Sequence, residues 1–428
     1  MIDVLEAAAA EYPSVAAVIA DDGSMSYRQL LAGLSPAAGR QSIALPSGRR
    51  WLTAFWSAMA GGATTLLLNP RGKPDELDYV RANFYAGRID SDDVRVVQYT
   101  AGTTGRPKGA LLTGAGLLTV ARGHAESWRL KPGDVIFVPN PMSHIMGLVL
   151  GCLMPAISRV TVLTMERFEP GSALELIERH KPVAMAGTPT HFHMLAEHPD
   201  LSSRDITSLR FGLAGGAAST PEAVRSEMER LGLDALLNGY GMSEACGSIS
   251  RTEIGDPIEA HALTVGRPMP WLETRLRDGQ LEIRGAPVCD KYLGDAAPAS
   301  DAEGWFATGD LFGIDDSGRL LFRGRARDVV NVGGFNVYPA EVERVIAEHP
   351  AVIAAQVVGI PDQRLGEIPY AFVRLKPLMT LDAQEIAEFC SERLSSYKVP
   401  RHFREIDEFP LNSAGKVEKF KLRKLATG

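Results

Sequence analysis

Short β-branched or apolar runs alternate with stretches of helical periodicity along most of the chain, and no other feature limits its fold as strongly. Residues 42–45, 64–68, 94–98, 135–138, 160–163, 183–186, 209–213 and 235–237 read as strands, with helices at 51–59, 74–84 and 111–120 and in the later gaps. Alternation of this kind predicts βαβ units, whose parallel strands must be covered by helices on both faces. Ligands of such sheets sit beyond the carboxyl ends of the strands, so the loops there carry the candidate functions. Past Gly266 the pattern changes to alternating polar and apolar arms around Asp278-Gly279, a hairpin signal. The expected fold is α/β: a large N-terminal domain of stacked, mostly parallel sheets with helices, a small antiparallel barrel-like subdomain, and a smaller C-terminal α/β domain. That last domain should hold a helix at 339–347, strands at 354–360 and 370–375, and a helix at 382–394. A length of 428 residues, too long for one ordinary core, agrees with this division.

The strand at 94–98 runs into Tyr99-Thr100-Ala101-Gly102-Thr103-Thr104-Gly105-Arg106-Pro107-Lys108-Gly109. Three glycines let the backbone turn at positive φ and approach a ligand, while three threonine hydroxyls and several free N–H groups converge on the concavity. A plain surface turn also uses Gly, Thr and Pro, but it has no need of so many donors beside Arg106 and Lys108. The loop suits an anion, and a polyphosphate above all. Its spacing is not that of a Walker A loop, in which Lys follows the second Gly directly.

With 45% hydrophobic and 23% charged residues the chain is globular rather than disordered. A net charge of −7 gives no electrostatic basis for binding nucleic acid or an anionic membrane surface, which leaves small molecules or a soluble carrier protein as partners. Cys152, Cys246, Cys289 and Cys390 lack the spacing of a disulfide framework or a zinc site, which suits a reducing cytoplasm. The N-terminus carries Asp3, Glu6 and Glu11 and lacks the basic-then-apolar order of a secretory signal. Residues 145–157, the longest charge-free apolar stretch, number thirteen. That is short of the roughly 18 needed to span a bilayer, so they read as a core helix.

Further segments stand at strand ends or near the C-terminus: Pro139-Asn140-Pro141-Met142-Ser143-His144, Leu213-Ala214-Gly215-Gly216-Ala217, Asn238-Gly239-Tyr240-Gly241-Met242-Ser243-Glu244, Trp305-Phe306-Ala307-Thr308-Gly309-Asp310, Gly324-Arg325-Ala326-Arg327, and Asn412-Ser413-Ala414-Gly415-Lys416. Taken singly, each has an ordinary structural reading. His144 would be a satisfied structural histidine, the small residues would permit tight helix–sheet packing, Tyr240 would be core, Asp310 a turn residue and Lys416 a solvated lysine.

Together with the phosphate loop, these segments resemble the adenylate-forming superfamily of acyl- and aryl-CoA ligases, peptide-synthetase adenylation domains and luciferases. The resemblance is nearest to the acyl- and aryl-CoA ligases, with a shortened N-terminal region, since the loop arrives already at residue 99. It implies ATP-dependent activation of a carboxylic acid to an acyl-adenylate, then transfer to the thiol of coenzyme A, with Mg²⁺ on the triphosphate. It further implies nucleotide contacts from Thr100, Gly102, Thr103, Thr104, Gly105, Lys108, Gly215, Gly216, Asn238, Tyr240, Gly241, Ser243, Asp310 and Arg325. Lys416, His144 and Glu244 take the catalytic roles, with Glu244 and Thr103 serving the metal. His144, Ile145, Met146, Ala214, Gly215, Gly239, Gly241 and Met242 line the acyl pocket, near Ala121, and their small, apolar nature suggests an uncharged aromatic or aliphatic acid. Gly333, Gly334, Phe335, Tyr397 and Arg401 form the thiol tunnel. Arg327 is the hinge between a domain of residues 1–326 and a mobile domain of residues 328–428, standing where the family commonly has Asp or Lys. A carrier-protein phosphopantetheine or an amine could replace coenzyme A, and a homodimer is compatible with all of this. The reading from a different class is a protein that binds a nucleotide or acyl group without turnover.

Overall fold

The computed structural model describes residues 1–100, 107–216, 220–295, 297–411 and 417–427. It divides into two compact units, Met1–Thr274 with Ile283–Phe306, and Arg275–Glu282 with Ala307–Gly428. Compactness thus groups the Asp278-Gly279 hairpin with the C-terminal residues, whereas the family resemblance puts the boundary at residue 327.

The first unit holds two sheets. The larger has nine strands in the order Arg267–Pro268, Gly247–Arg251, Ala235–Met242, Phe211–Gly215, Ala184–Gly187, Val135–Phe137, Thr161–Leu163, Ala16–Ala20, Gly23–Ser26. Its inner strands run parallel and its outermost pairings are antiparallel. Helices such as Pro170–His180 and Pro189–Ala196 bury Leu174, Ile177, Phe192 and Leu195 against Phe137, Leu163 and Leu236, which is why the strands read as near-continuous apolar runs. The 145–157 stretch is buried as expected, as helices Ile145–Leu148 and Met154–Ser158 joined by a π-turn at Val149–Leu153. Pro155, which has no N–H to donate, is the second residue after that turn.

The smaller sheet runs Arg40–Ile43, Thr64–Leu67, Val94–Thr100, Lys108–Thr113, parallel except for its last pair. This corrects the helix expected over 111–120. Ala110, Leu111 and Leu112 are buried consecutively and finish a strand that pairs antiparallel with Val94–Thr100, Thr100 opposite Lys108. The helix is Gly114–Trp128, started by Thr113, whose Oγ1 accepts from Gly116 N–H at 3.0 Å.

In the second unit the antiparallel part takes the form of an open sheet in the order Glu273–Arg277, Gln280–Arg284, Phe306–Ile314, Leu320–Arg325. Its first two strands turn at Asp278 (φ 52°) and Gly279 (φ 78°), the two left-handed residues that a type I′ hairpin requires. Beyond it, Phe335–Val337, Val330–Val332, Gly366–Leu375 and Val352–Asp362 form a sheet joined by His402–Glu405. Helices Pro339–Ala347 and Ala383–Ser391 place Val342, Val345, Ile346 and Ile386 in a core with Val357 and Val373. Among the described residues no helix is long and apolar enough to cross a membrane.

Candidate active site

In the first unit, the strand Ala235–Met242 leaves the sheet through a tight turn, Ser243–Ala245, and returns as Gly247–Arg251. A Cβ on Gly241 would lie 1.8 Å from the Gly247 carbonyl oxygen, so only glycine lets the two strands close. The turn carries Glu244 with 7% of its surface exposed. Its Oε1 accepts hydrogen bonds from Thr100 Oγ1 at 3.1 Å and from the Tyr292 hydroxyl at 3.2 Å. No lysine or arginine among the described residues stands within ion-pair distance of this carboxylate. Lys108, across from Thr100, places Nζ 5.1 Å from the Tyr292 ring centroid and 3.9 Å from Asp295 Oδ2. Burial, with the Glu244 charge beside it, pushes the Tyr292 phenol well above its ordinary pKa and keeps it a donor.

This cluster fits a hard divalent cation. A nearly buried carboxylate that meets two hydroxyls and no described lysine or arginine offers its oxygens to a cation, and Mg²⁺ prefers carboxylate, water and phosphate oxygens. Tyr292 has no signal in the sequence. It reaches the cluster because Leu111 N–H donates to Lys291 O at 3.1 Å and Leu293 N–H to Gly109 O at 2.7 Å, a pairing across most of the unit's length.

The other expected residues of the first unit fall around this turn. Gly215 pairs with Gly239, and Gly216 follows at φ 92°. Asn238 is structural in its visible contacts: Nδ2 donates to Thr264 O at 2.9 Å and its N–H to Thr252 Oγ1 at 2.9 Å. His144 is exposed and caps the helix at Ile145, its Nδ1 accepting from Met146 N–H at 3.3 Å. Gly102, Thr103, Thr104, Gly105 and Lys416 lie outside the described residues.

In the second unit Asp310 sits opposite Arg325 on neighbouring strands, with Oδ1 3.5 Å from the Arg325 Nε. Gly333 (φ 59°) and Gly334 (φ 90°) make a left-handed pair, their N–H groups bound to Leu365 O and Asn331 Oδ1. Phe335, 58% exposed, stacks on Tyr397 at 4.8 Å, and Arg401 Nη1 stands 4.0 Å from Asp362 Oδ2. Arg327 is exposed in the short turn Ala326–Asp328.

Residues 81–287 match the family model described as AMP-binding enzyme, and residues 341–416 match that of the AMP-binding enzyme C-terminal domain. A ligase of Mycobacterium tuberculosis, 3-[(3aS,4S,7aS)-7a-methyl-1,5-dioxo-octahydro-1H-inden-4-yl]propanoyl:CoA ligase, is 36% identical over 92% of this chain and 78% of its own. The chain belongs to the AMP-binding enzyme family. A second relative, the mitochondrial medium-chain acyl-CoA ligase ACSF2 of Mus musculus, is 35% identical over 76% of this chain; the match spans 56% of that longer protein. Among solved structures, o-succinylbenzoate CoA synthetase of Bacillus subtilis, in complex with its acyl-adenylate intermediate, superposes with a TM-score of 0.86 at 25% identity. That match covers 99% of this chain and 98% of the other.

Proposed function

We propose that this AMP-binding enzyme is an acid–thiol ligase: it joins a carboxylic acid to AMP with release of pyrophosphate, then passes the acyl group to the thiol of coenzyme A. The observation that carries the reading is Glu244, a nearly buried carboxylate held by Thr100 and Tyr292 at the mouth of the Gly/Thr-rich loop. The acyl-CoA ligases among its relatives agree with it.

In the first step a carboxylate oxygen bonds to the α-phosphorus of ATP and the bond from that phosphorus to the β-phosphate's bridging oxygen breaks. Both reactants are anions, so rate depends on holding them and on positive charge where negative charge collects. Thr103 and Thr104 supply hydroxyl donors to the phosphates, Thr100 adjoins them with its hydroxyl proton on Glu244, and Lys108 adds charge at the end of the same hairpin. Glu244 and Thr103 would hold Mg²⁺, which would supply positive charge to the triphosphate. Asp310 accepts from the ribose hydroxyls beside Arg325, and Tyr240 packs on the adenine. Lys416 bridges the carboxylate and the α-phosphate. In the second step the thiol sulfur bonds to the acyl carbonyl, AMP leaves, and the thiol proton is released. A rotation at Arg327 withdraws Lys416 and presents Gly333-Gly334, whose missing side chains let an extended pantetheine arm pass along the backbone. A carrier-protein phosphopantetheine would use the same approach. A reducing cytoplasm suits the four buried, unpaired thiols.

The test is carboxylate-dependent exchange of labelled pyrophosphate into ATP, repeated with Lys416→Ala. We expect the substitution to lower exchange by about 10² to 10³-fold, while a preformed acyl-adenylate is still converted to thioester with coenzyme A. Absence of exchange over a broad panel of acids would favour a non-catalytic binding protein. Equal loss of both half-reactions would refute the role given to Lys416. Thioester yield on free coenzyme A against that on a carrier protein decides the acceptor.

A further inference from the structure

One face of the nine-stranded sheet holds an unusual concentration of buried donors without acceptors. Side chains alternate faces along a strand, and directly paired residues share one. Phe211 therefore lies on the same face as Gly215, Gly215 with its partner Gly239, and Gly239 with its partner Arg251. The helix Gly114–Trp128 covers this face, for Trp128 meets Phe211 edge-on at 5.2 Å. At Gly215 and Gly239 side chains are absent, and the Met146 methyl lies 3.1 Å from where a Gly215 Cβ would be. These are residues assigned above to the acyl pocket.

Around them stand His124, fully buried, with Nε2 2.8 Å from Ser248 Oγ and Nδ1 unpartnered, and Arg251, 7% exposed, with Nε and Nη1 unpartnered. The indole N–H groups of Trp128 and Trp271, whose rings lie 6.2 and 6.0 Å from the His124 ring, have no acceptor either. Among the described residues no carboxylate comes within ion-pair distance of Arg251; Glu253 acts on it only from beyond that range. Burial, aided by the Arg251 charge, takes His124 down to about 3, so it is neutral at physiological pH. Buried donors are ordinarily satisfied, and a guanidinium left unpaired is costly. The complement this face lacks is an oxygen acceptor.

We propose that the acid carries an oxygen acceptor, a ketone or a second carboxylate, on the part of its body remote from the reacting carboxyl, and that Arg251 and His124 select for it. This rests on the ligase reading, and it adds an oxygen acceptor to the uncharged aromatic or aliphatic acid suggested by the pocket's small residues. A site built to hydrogen-bond a substrate group rejects analogues that lack it far more strongly than an apolar pocket rejects an extra methylene.

The experiment measures kcat/KM for pyrophosphate release with matched acids: a hydrocarbon body, the same body with a remote oxo group, and the same body ending in a second carboxylate. At least one oxygenated member should exceed its hydrocarbon match by about tenfold or more. In Arg251→Met and His124→Phe that ratio should collapse toward one; Arg251→Met should do so without a fall in Tm, since it removes unpaired buried donors, whereas His124→Phe also breaks the contact to Ser248 and should cost some stability. The carboxylate arm leading would identify an anionic acceptor, and the oxo arm a ketone; either supports the proposal. Turnover of hydrocarbon acids as good as or better than the oxygenated ones in the unmutated enzyme would overturn it while leaving the ligase reading intact. This holds even if the variants fail to fold. Silence from every acid would overturn both.

Discussion

Two carboxylates serve this enzyme in opposite electrostatic states. Glu244, in the first unit, is nearly buried and, among the described residues, receives hydroxyls from Thr100 and Tyr292 and has no cation beside it. Asp310, in the second, already faces the Arg325 guanidinium at 3.5 Å on the adjoining strand. A carboxylate kept uncompensated is a receptor for a cation that arrives with the ligand, whereas one already neutralised is a directional acceptor for hydroxyl groups. Under the proposed function, charge handling falls to one and positioning to the other.

The assignment is breakable. Glu244→Gln keeps the shape and both hydroxyl contacts but removes the charge. We expect pyrophosphate exchange to fall about 10² to 10³-fold, with the half-saturating Mg²⁺ concentration rising and Tm unchanged or higher. A variant with full exchange at ordinary Mg²⁺ would end the contrast. Asp310→Ala removes a positioning contact to a ligand, so the expected change is about tenfold in KM for ATP, with a smaller change in kcat; an equal loss in kcat would return Asp310 to the charge-handling side.

A third carboxylate sharpens the comparison at smaller cost. Glu227, on helix Pro221–Leu231, is buried with His193 Nδ1 3.6 Å away and Glu197 nearby, and burial raises it from 4.5 to about 7. Because the folded state holds the proton more tightly than the unfolded chain, the associated stability is complete below pH 4.5 and is lost as pH rises toward and past 7. Glu227→Gln should therefore raise Tm by a few degrees above pH 7 and do progressively less on acidification. Thermal melts from pH 5 to 8 would check this, and an unchanged Tm at pH 8 would refute it.

Elements whose pattern is local were legible in the sequence. The helix Pro339–Ala347 appears with the expected bounds because Pro339 sets its first turn and Val342, Val345 and Ile346 its buried stripe. Asp278-Gly279 declared its hairpin by needing two left-handed residues. The strand Lys108–Thr113 was hidden because Leu111 and Leu112 suit either a helix or a strand, and only pairing to Val94–Thr100 decides. Glu244 stood out within a motif, whereas Tyr292 and the His124–Ser248 contact join segments more than forty residues apart and leave no spacing to read.

The pairing of residues 291–293 with the outer strand of the smaller sheet bears on how the chain is made. That strand's free edge, at Gly109 and Leu111, finds its bonding partner only in Lys291 and Leu293, some 180 residues later. Until a ribosome has delivered them, the edge offers unpaired amides and carbonyls to any neighbouring strand. A truncated chain ending before that point would emerge with Glu244 lacking its Tyr292 contact and its flank adhesive.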